Sequence, residues 1–263
     1  MKIATYNINS VRLRIERVLD LLSKHEIDIL CLQETKAEDC KFPESKFIDN
    51  GYEYCYFNGE KSYNGVAIIS KTPLNDIKKH QFVNSHARHI SGTIADGTEI
   101  HNFYIPAGGD EPDRDINPKF AHKLDYLDCM TDYFESNYTN DNNLIIVGDF
   151  NIAPYENDVW SHKQLLKVVS HTPIEVDKLN KLKESINWID VAREYIPESE
   201  KCYSWWSYRN KDWRKSNRGR RLDHIWVTTP LKTQLSNFEI LNDLRDGEKP
   251  SDHVPVIIEL KAS

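Results

Sequence analysis

Polar residues suited to acid–base or ligand chemistry follow or precede the apolar segments of this 263-residue chain. Asp149 and Asn151 follow the apolar segment 144–148, and Asp252 and His253 come just before the last apolar segment. Such residues can also serve only as caps and turn formers. An acid paired with an amide or an imidazole at the end of a fully apolar segment favours catalysis or ligand binding.

The same residue types recur at the ends of other predicted strands, namely at Asn7, Asn9, Glu34 and Asp223. In antiparallel or mixed sheets the end of one strand lies beside the start of its neighbour, so these side chains can line one rim. A rim of carboxylates repels itself unless a cation is present. Oxygen ligands without cysteine or clustered histidine select a hard ion, so the sequence predicts a Mg²⁺ or Mn²⁺ site.

The segment 203–221 interleaves aromatic and basic side chains. Bases stack on aromatic rings and arginines bind phosphates, so this pairing is typical of a nucleic-acid surface. A solvated run of charges beside core tryptophans is the alternative, but the segment ends close to the rim acid Asp223. The candidate DNA contacts are Trp205, Arg209, Arg218, Arg220 and Arg221, together with Leu222 directly after the segment.

The elements that must position these residues follow from apolar periodicity. Helices are predicted over residues 11–24, with Asn9 or Ser10 as N-cap, and over 120–138. A unit of strand, helix and second strand, with an acid at its end, is predicted at 3–34 and again at 99–149. This repeat suggests two similar halves. We therefore expect one domain over 1–263 with an α/β fold: a four-layered sandwich of two packed mixed β-sheets flanked by helices. The remaining strands are predicted at 65–70, 90–94, 222–227 and 254–260.

Composition excludes some classes of protein. With 34 basic and 41 acidic residues the net charge is −7, which argues against a polycation that coats nucleic acid. Residues 205–221 nevertheless carry seven basic residues and one acid, a local charge of +6. No apolar run is long enough to span a membrane, and five cysteines without a CxxC motif favour a reducing cytoplasm.

Eight stretches of the sequence together resemble the exonuclease III family of abasic-site endonucleases, within the wider endonuclease/exonuclease/phosphatase superfamily. They occur in family order and span nearly the whole chain: TYNINSVRLR (5–14), LCLQETK (30–36), YNGVAIIS (63–70), NFYIP (102–106), IIVGDFN (145–151), YSWWSYR (203–209), RGRRLDHI (218–225) and SDHVP (251–255). The resemblance implies a metal-dependent DNA-repair nuclease. Such an enzyme cleaves 5′ to abasic sites, degrades duplex DNA 3′→5′ and leaves 3′-hydroxyl ends.

The resemblance also implies a ligand set for the metal. Glu34 is the main ligand, Asp252 and Asn9 lie on the ion or its waters, and Asp149 and Asn151 are further candidates. The implied cofactor is Mg²⁺ or Mn²⁺.

Catalytic and substrate-binding roles are implied in the same way. Asp149 orients or deprotonates the attacking water, and Asn151 fixes its geometry. His253, held by Asp223, donates to the phosphate oxygen on which negative charge develops. The resemblance further implies phosphate contacts from Asn7 and Tyr104, and a pocket for an extruded baseless sugar shaped by Trp205 and Leu222.

Three positions depart from the family pattern. Asn9 stands where some relatives carry an acid, which weakens its contribution to metal binding. Ala107 follows the YIP sequence where relatives often have an amide, so a phosphate contact is lost. Arg220 occupies a position where relatives carry a bulky apolar residue beside the pocket, which can alter the balance between abasic-site incision and exonuclease activity.

The expected partner is double-stranded DNA with abasic sites or blocked 3′ ends, bound by a monomer. Two other functions compete with this reading. A phosphatase of lipid or inositol headgroups predicts an apolar membrane-contacting loop or a signal sequence, and neither is visible. A catalytically silent DNA-binding module predicts loss of Glu34, Asp149 or His253, and all three are present.

Overall fold

Two mixed β-sheets form the centre of the molecule in the computed structural model, which describes residues 1–210 and 212–261. Lys211, one of the basic residues of the segment 203–221, lies outside the described residues. The strands are, in chain order, β1 (Lys2–Asn7), β2 (Ile29–Gln33), β3 (Tyr54–Asn58), β4 (Val66–Ser70), β5 (Asn75–Lys78), β6 (His89–Thr93), β7 (Glu99–Tyr104), β8 (Leu144–Asp149), β9 (Ile189–Asp190), β10 (Trp205–Trp206), β11 (Gly219–Arg220), β12 (Asp223–Val227), β13 (Leu235–Ile240) and β14 (Val256–Leu260).

Helices cover the outer faces of both sheets. They are α1 (Ile15–His25), α2 (Glu44–Ile48), α3 (Pro118–Asn137), α4 (His162–Leu165), α5 (Pro173–Ser185), α6 (Val191–Tyr195), α7 (Trp213–Ser216) and α8 (Thr229–Lys232), and three short 3₁₀ turns accompany them. None of the helices in the described ranges has the length and apolar character needed to cross a membrane.

The two sheets are built on the same plan. The first has the order β13-β14-β1-β2-β4-β3 and the second the order β5-β6-β7-β8-β12-β9. Each contains one parallel pair, β1 with β2 and β7 with β8, and the other strands pair antiparallel. In each pair a helix, α1 or α3, links the two parallel strands, because a parallel connection needs a crossover. The predicted echo of 3–34 in 99–149 is this shared unit.

Strand residues alternate between the inner and outer layers of the sandwich. Ile3 and Ile29 of the first sheet pack against Ile145 and Ile225 of the second, in a core enclosed between the sheets. The intervening residues point outward, so Leu30 packs with α1, and the second sheet packs on α3 and α5 in the same way. The predicted four-layered α/β sandwich is confirmed.

The first helix differs from its prediction. It begins at Ile15 with Arg14 at the N-cap position, rather than at residue 11 behind Asn9 or Ser10. Asn9 and Ser10 have φ of 47° and 89°, so the chain turns before it enters the helix. The apolar residue Val11 is buried in the core although it lies outside the helix, which is why its spacing imitated helical periodicity.

Candidate active site

The ends of the central strands meet at one edge of the sandwich. Asp149, the last residue of β8, is paired with Tyr104 at the end of β7 and with Asp223 at the start of β12. In the first sheet, Asn7 ends β1 and Glu34 directly follows β2. The rim predicted from the sequence therefore exists, and residues from both sheets contribute to it.

Left-handed backbone turns aim several of these side chains at the site. Asn9, Glu34, Lys36 and Asn151 have φ between 47° and 54°. Asparagine tolerates this region, whereas a residue such as Glu34 or Lys36 pays on the order of 1–2 kcal/mol for it. Strain of this kind persists where the surrounding structure imposes it, and it concentrates at functional sites.

Asn7 joins the two sheets at the centre of the site. Its buried Nδ2 donates to Glu34 Oε1 at 2.9 Å and to Asp149 Oδ2 at 2.8 Å. The Tyr104 hydroxyl donates to the same Glu34 oxygen at 2.8 Å. One amide thus fixes the distance between the predicted metal ligand and the predicted base.

His253 lies between two carboxylates. Its Nδ1 contacts Asp223 Oδ2 at 2.8 Å, and its Nε2 lies 3.6 Å from Asp149 Oδ2. Ser204 Oγ donates to the same Asp223 oxygen at 2.6 Å. His253 is 4% exposed and Asp223 2% exposed, so the arrangement is dry and its charges interact strongly. The predicted pairing of His253 with Asp223 is present in the structure.

Burial and neighbouring charges shift the pKa of the central groups. Burial opposes protonation of His253, but the carboxylates of Asp223 and Asp149 outweigh it and raise the pKa of the imidazole, which is therefore cationic at neutral pH. Burial raises the pKa of Asp149, and the charge of His253 offsets this in part. Burial and the nearby Glu34 raise the pKa of Tyr104 far enough that its hydroxyl remains a donor.

The predicted metal ligands lie beside this group. Asn9 Nδ2 donates to Asp252 Oδ1 at 3.2 Å, and Asn9 Oδ1 accepts from Lys36 Nζ at 2.7 Å. Lys36 Nζ also lies 2.7 Å from Glu34 Oε2. Burial disfavours ionisation of Glu34, but Lys36 and the hydrogen bond from Asn7 lower the pKa of this carboxyl.

This donor set fits a hard cation. Oxygens of Glu34 and Asn9 already converge on one positive group, and Asp252 adds a second carboxylate. The pKa of Asp252 is lowered because the His253 charge and the Trp205 hydrogen bond outweigh its burial. One ligand atom from each of Asp149, Asp223 and His253 also falls within a 4.8 Å cluster. In that cluster the His253 imidazolium offsets one of the two carboxylate charges.

Asn151 is held through its backbone and its amide. Its N–H donates to Asp149 Oδ1 at 2.9 Å and its Nδ2 donates to the Ile105 carbonyl at 2.9 Å. Its carbonyl accepts from the buried Lys123 at 2.8 Å. Asn151 therefore fixes the orientation of Asp149, and Lys123 also reaches the carbonyl of the exposed Ala107 at 3.3 Å.

The predicted pocket residues lie together. Trp205 Nε1 donates to Asp252 Oδ2 at 3.0 Å, and the buried Leu222 packs beside the Trp205 ring. The Arg220 guanidinium lies 5.2 Å from the centre of the Trp205 ring and donates to Ser170 Oγ at 2.7 Å. These three side chains thus form an aromatic and apolar group with one cation.

Prediction of Arg221 as a DNA contact is wrong. Its side chain is 1% exposed and forms bidentate ion pairs, at 2.8–2.9 Å, with Asp158 and Asp190. A buried guanidinium that is fully paired with carboxylates has no group left for a phosphate. Arg209 and Arg218 are exposed, and Arg218 lies 4.7 Å from the Trp160 ring centre.

Three functional contacts were missed in the sequence. Lys36 bridges Glu34 and Asn9, Ser204 supports Asp223, and Ser251 Oγ donates to the Asn7 carbonyl at 2.7 Å. Lys36 and Ser251 lie inside stretches that resemble the family, LCLQETK and SDHVP, and could have been found there. Ser204 is likewise inside YSWWSYR, but a serine next to tryptophans carries no separate signal.

Comparisons with known proteins agree with this geometry. The profile of the Endonuclease/Exonuclease/phosphatase family matches residues 4–253. Exodeoxyribonuclease III of Haemophilus influenzae is 30% identical over 276 aligned residues, covering 99% of this chain and 100% of that protein.

The chain belongs to the endonuclease/exonuclease/phosphatase family, in its exonuclease III branch. Two solved structures superpose closely on this chain. An AP endonuclease from Archaeoglobus fulgidus has a TM-score of 0.92 and 33% identity, and the match covers 100% of both chains. The 3′ phosphatase NExo from Neisseria, bound to product DNA hairpin, has a TM-score of 0.91 and 29% identity, again over 100% of both chains. The assignment of this exonuclease III family member as a DNA-repair nuclease is confirmed.

Proposed function

We propose that this protein hydrolyses DNA phosphodiesters in a metal-dependent reaction, cutting 5′ to abasic sites and trimming duplex DNA 3′→5′ to leave 3′-hydroxyl ends. In this proposal it acts as a single-domain, monomeric enzyme of the cytoplasm on double-stranded DNA. Removal of blocking groups from 3′ ends belongs to the same chemistry, because it also breaks a phosphate ester. Relatives named for each of these activities support the assignment.

One observation carries the proposal. Asp149 ends β8 and His253 lies just before β14; the two side chains are 3.6 Å apart, and Asn7 and Asp223 respectively fix them. A carboxylate and an imidazolium held in this way can act at one phosphate, the carboxylate on the attacking water and the imidazolium on a phosphate oxygen. A pre-organised pair of this kind is what a nuclease needs and what a passive DNA-binding module does not need.

Each polar residue of the site has its own role in the proposed hydrolysis. Asp149 removes the proton of the attacking water, and a pKa raised by burial suits a base that operates near neutral pH. Asn151 keeps the Asp149 carboxylate in its orientation. His253 donates a hydrogen bond to the phosphate oxygen that gains charge, while Asp223 maintains the imidazolium. The Nδ2 of Asn7 and the hydroxyl of Tyr104 now donate to Glu34 and Asp149. To contact the phosphate, each would exchange one of these hydrogen bonds for a phosphate oxygen.

Glu34, Asn9 and Asp252 would hold the divalent ion, and Asp149 and Asn151 are further candidate ligands. Their oxygens are hard ligands, so Mg²⁺ or Mn²⁺ is the expected ion. When bound, the ion supplies positive charge that neutralises the phosphate and the leaving oxygen.

Substrate selection follows from the pocket and the exposed arginines. Trp205 and Leu222 offer an apolar surface to a sugar that lacks a base, and such a nucleotide is cheap to extrude because it has little stacking to lose. Arg209 and Arg218 bind backbone phosphates. Arg220 adds a cation to the pocket wall, where it can contact a phosphate near a 3′ end.

Cleavage of labelled duplexes on a denaturing gel tests the proposal. Duplexes with an abasic site, with a 3′-phosphate and with intact ends are incubated with Mg²⁺, with EDTA, and with EDTA followed by excess Mg²⁺ or Mn²⁺. We expect incision 5′ to the abasic site that EDTA abolishes and either ion restores. Activity that persists in EDTA would rule out the metal mechanism, and an inert wild type would rule out the nuclease.

A further inference from the structure

One ammonium group occupies the position where the predicted metal ligands converge. Lys36 Nζ lies 2.7 Å from Glu34 Oε2 and donates to Asn9 Oδ1 at 2.7 Å. The Lys36 side chain is 30% exposed and that of Glu34 is 18% exposed. This pair is therefore partly shielded from water, which strengthens its electrostatic interaction.

Lys36 contacts the one oxygen of Glu34 and the one oxygen of Asn9 that a metal ion would use. Glu34 Oε1 already accepts from Asn7 and Tyr104, so Oε2 is the oxygen whose contact is with Lys36. Asn9 uses its Nδ2 to contact Asp252, so its Oδ1 is the atom left to accept from Lys36. Glu34 Oε2 and Asn9 Oδ1 are thus both held by a single cation.

The backbone keeps Lys36 at this place. Its φ is 50°, and its N–H donates to the Asn64 carbonyl at 2.9 Å. The neighbouring Gly65 has a φ of 92°, and a Cβ there would come within 2.1 Å of Thr35 Oγ1. The backbone of Lys36 is therefore fixed, whereas its partly exposed side chain can move into solvent.

We infer that Lys36 competes with the divalent ion for Glu34 and Asn9 and thereby sets the affinity of the site for metal. This inference rests on the proposed metal-dependent function. Glu34 and Asp252 carry two negative charges and Asn9 carries none, so Lys36 reduces the formal charge of the ligand group from −2 to −1. A unit positive charge beside a divalent ion weakens binding, and the ion must share or displace the ammonium to reach Glu34 Oε2.

Direct measurement of Mn²⁺ binding to the DNA-free protein tests this inference without reference to activity. Isothermal titration calorimetry compares wild type with Lys36→Met and Lys36→Gln, which remove the charge, and with Lys36→Arg, which keeps it. We expect the Kd for Mn²⁺ to fall about tenfold in both neutral variants, about 1.4 kcal/mol, and to stay within about twofold in the arginine variant. Lys71→Met is the matched control, because Lys71 pairs with Asp28 at the opposite end of β2.

The Mn²⁺ titrations can overturn the role of Lys36 in several ways. An unchanged or weaker affinity in Lys36→Met and Lys36→Gln overturns the inference, and so does an equal gain in Lys36→Arg, because the charge would then not be the cause. Failure of every variant, including wild type, to bind Mn²⁺ overturns the proposed metal mechanism as well. If wild type shows EDTA-sensitive incision but the Kd is unchanged in Lys36→Met and Lys36→Gln, the role of Lys36 is overturned and the proposed metal mechanism stands.

Discussion

Two buried histidines show how the surroundings of a residue decide its chemistry. Burial and the nearby Arg221 lower the pKa of His224 to about 4, so its imidazole is neutral. His253 is equally buried, but Asp223 and Asp149 raise its pKa and keep it cationic. A cationic imidazole aimed at a phosphate is a strong hydrogen-bond donor, whereas the neutral His224 serves the packing of the second sheet.

Replacement of His253 tests this assignment. We expect His253→Ala to lower kcat for abasic-site incision by about 10²–10⁴-fold, because the donor to the charged phosphate oxygen is lost. The Kd for an abasic duplex, measured in EDTA by fluorescence anisotropy, should change little. His25→Ala is the control, since His25 lies beside Lys2 at the far end of β1. A loss of kcat below about tenfold would remove His253 from the catalytic group.

At the scale of the elements, the close approach of β7 and β8 at Gly148 positions Asp149. Gly148, just before Asp149, has a φ of 141°, and a Cβ on it would lie 1.9 Å from the Phe103 carbonyl oxygen of β7. The absence of a side chain therefore lets β8 pair tightly with β7 and delivers Asp149 to the rim. Glycine at this position is required by the packing of the two strands as well as by the backbone angle.

A pair of glycine substitutions separates these two requirements. We expect Gly148→Ala to lower the free energy of unfolding by roughly 3–5 kcal/mol, because the new methyl group clashes with β7. Gly97→Ala, in the β6–β7 hairpin, should cost only about 1–2 kcal/mol, since its φ is 88° but no atom lies within 4 Å of the added Cβ. Urea unfolding measures both values. Equal losses would show that the close approach at Gly148 has no energetic weight.

The charge of the whole molecule is distributed unevenly. Much of the basic segment 203–221 does not face solvent freely: Arg221 is buried with Asp158 and Asp190, and Arg214 pairs with Asp243 and Asp246. The cationic surface for DNA is therefore smaller than the local charge of +6 suggests. The acidic remainder of the chain repels DNA from other faces, which helps to orient the duplex.

Salt dependence measures how many cations contact phosphate. We expect the double variant Arg209→Ala/Arg218→Ala to weaken duplex binding and to reduce the slope of log K against log salt by about 2, or roughly 0.9 for each contact. Lys24→Ala is the control, because Lys24 pairs with Asp20 on α1 near the far end of β1. Anisotropy in EDTA over a range of KCl concentrations supplies the slopes. A slope equal to that of wild type would exclude both arginines from the DNA interface.

Apolar periodicity was enough to predict the layers of this fold. The repeated strand–helix–strand unit, the position of Asp149 at the end of β8 and the position of Glu34 after β2 follow from apolar runs and helical spacing along the chain, which are local information. Periodicity was less reliable at the start of α1, where the buried Val11 imitates a helical position. The identity of the site residues came from motifs, and these are also read locally.

By itself, the sequence determined which residue types stand at the strand ends and the family to which they correspond. Only the tertiary structure decided which of them touch. Asn7 reaches Asp149 across 142 positions of sequence, and Asn9 reaches Asp252 across 243. Arg221 and Arg218 look alike in a basic run, yet one is enclosed by carboxylates and the other is exposed. The physical reason is that burial and charge pairing depend on segments brought together by sheet packing, and no local pattern records these contacts.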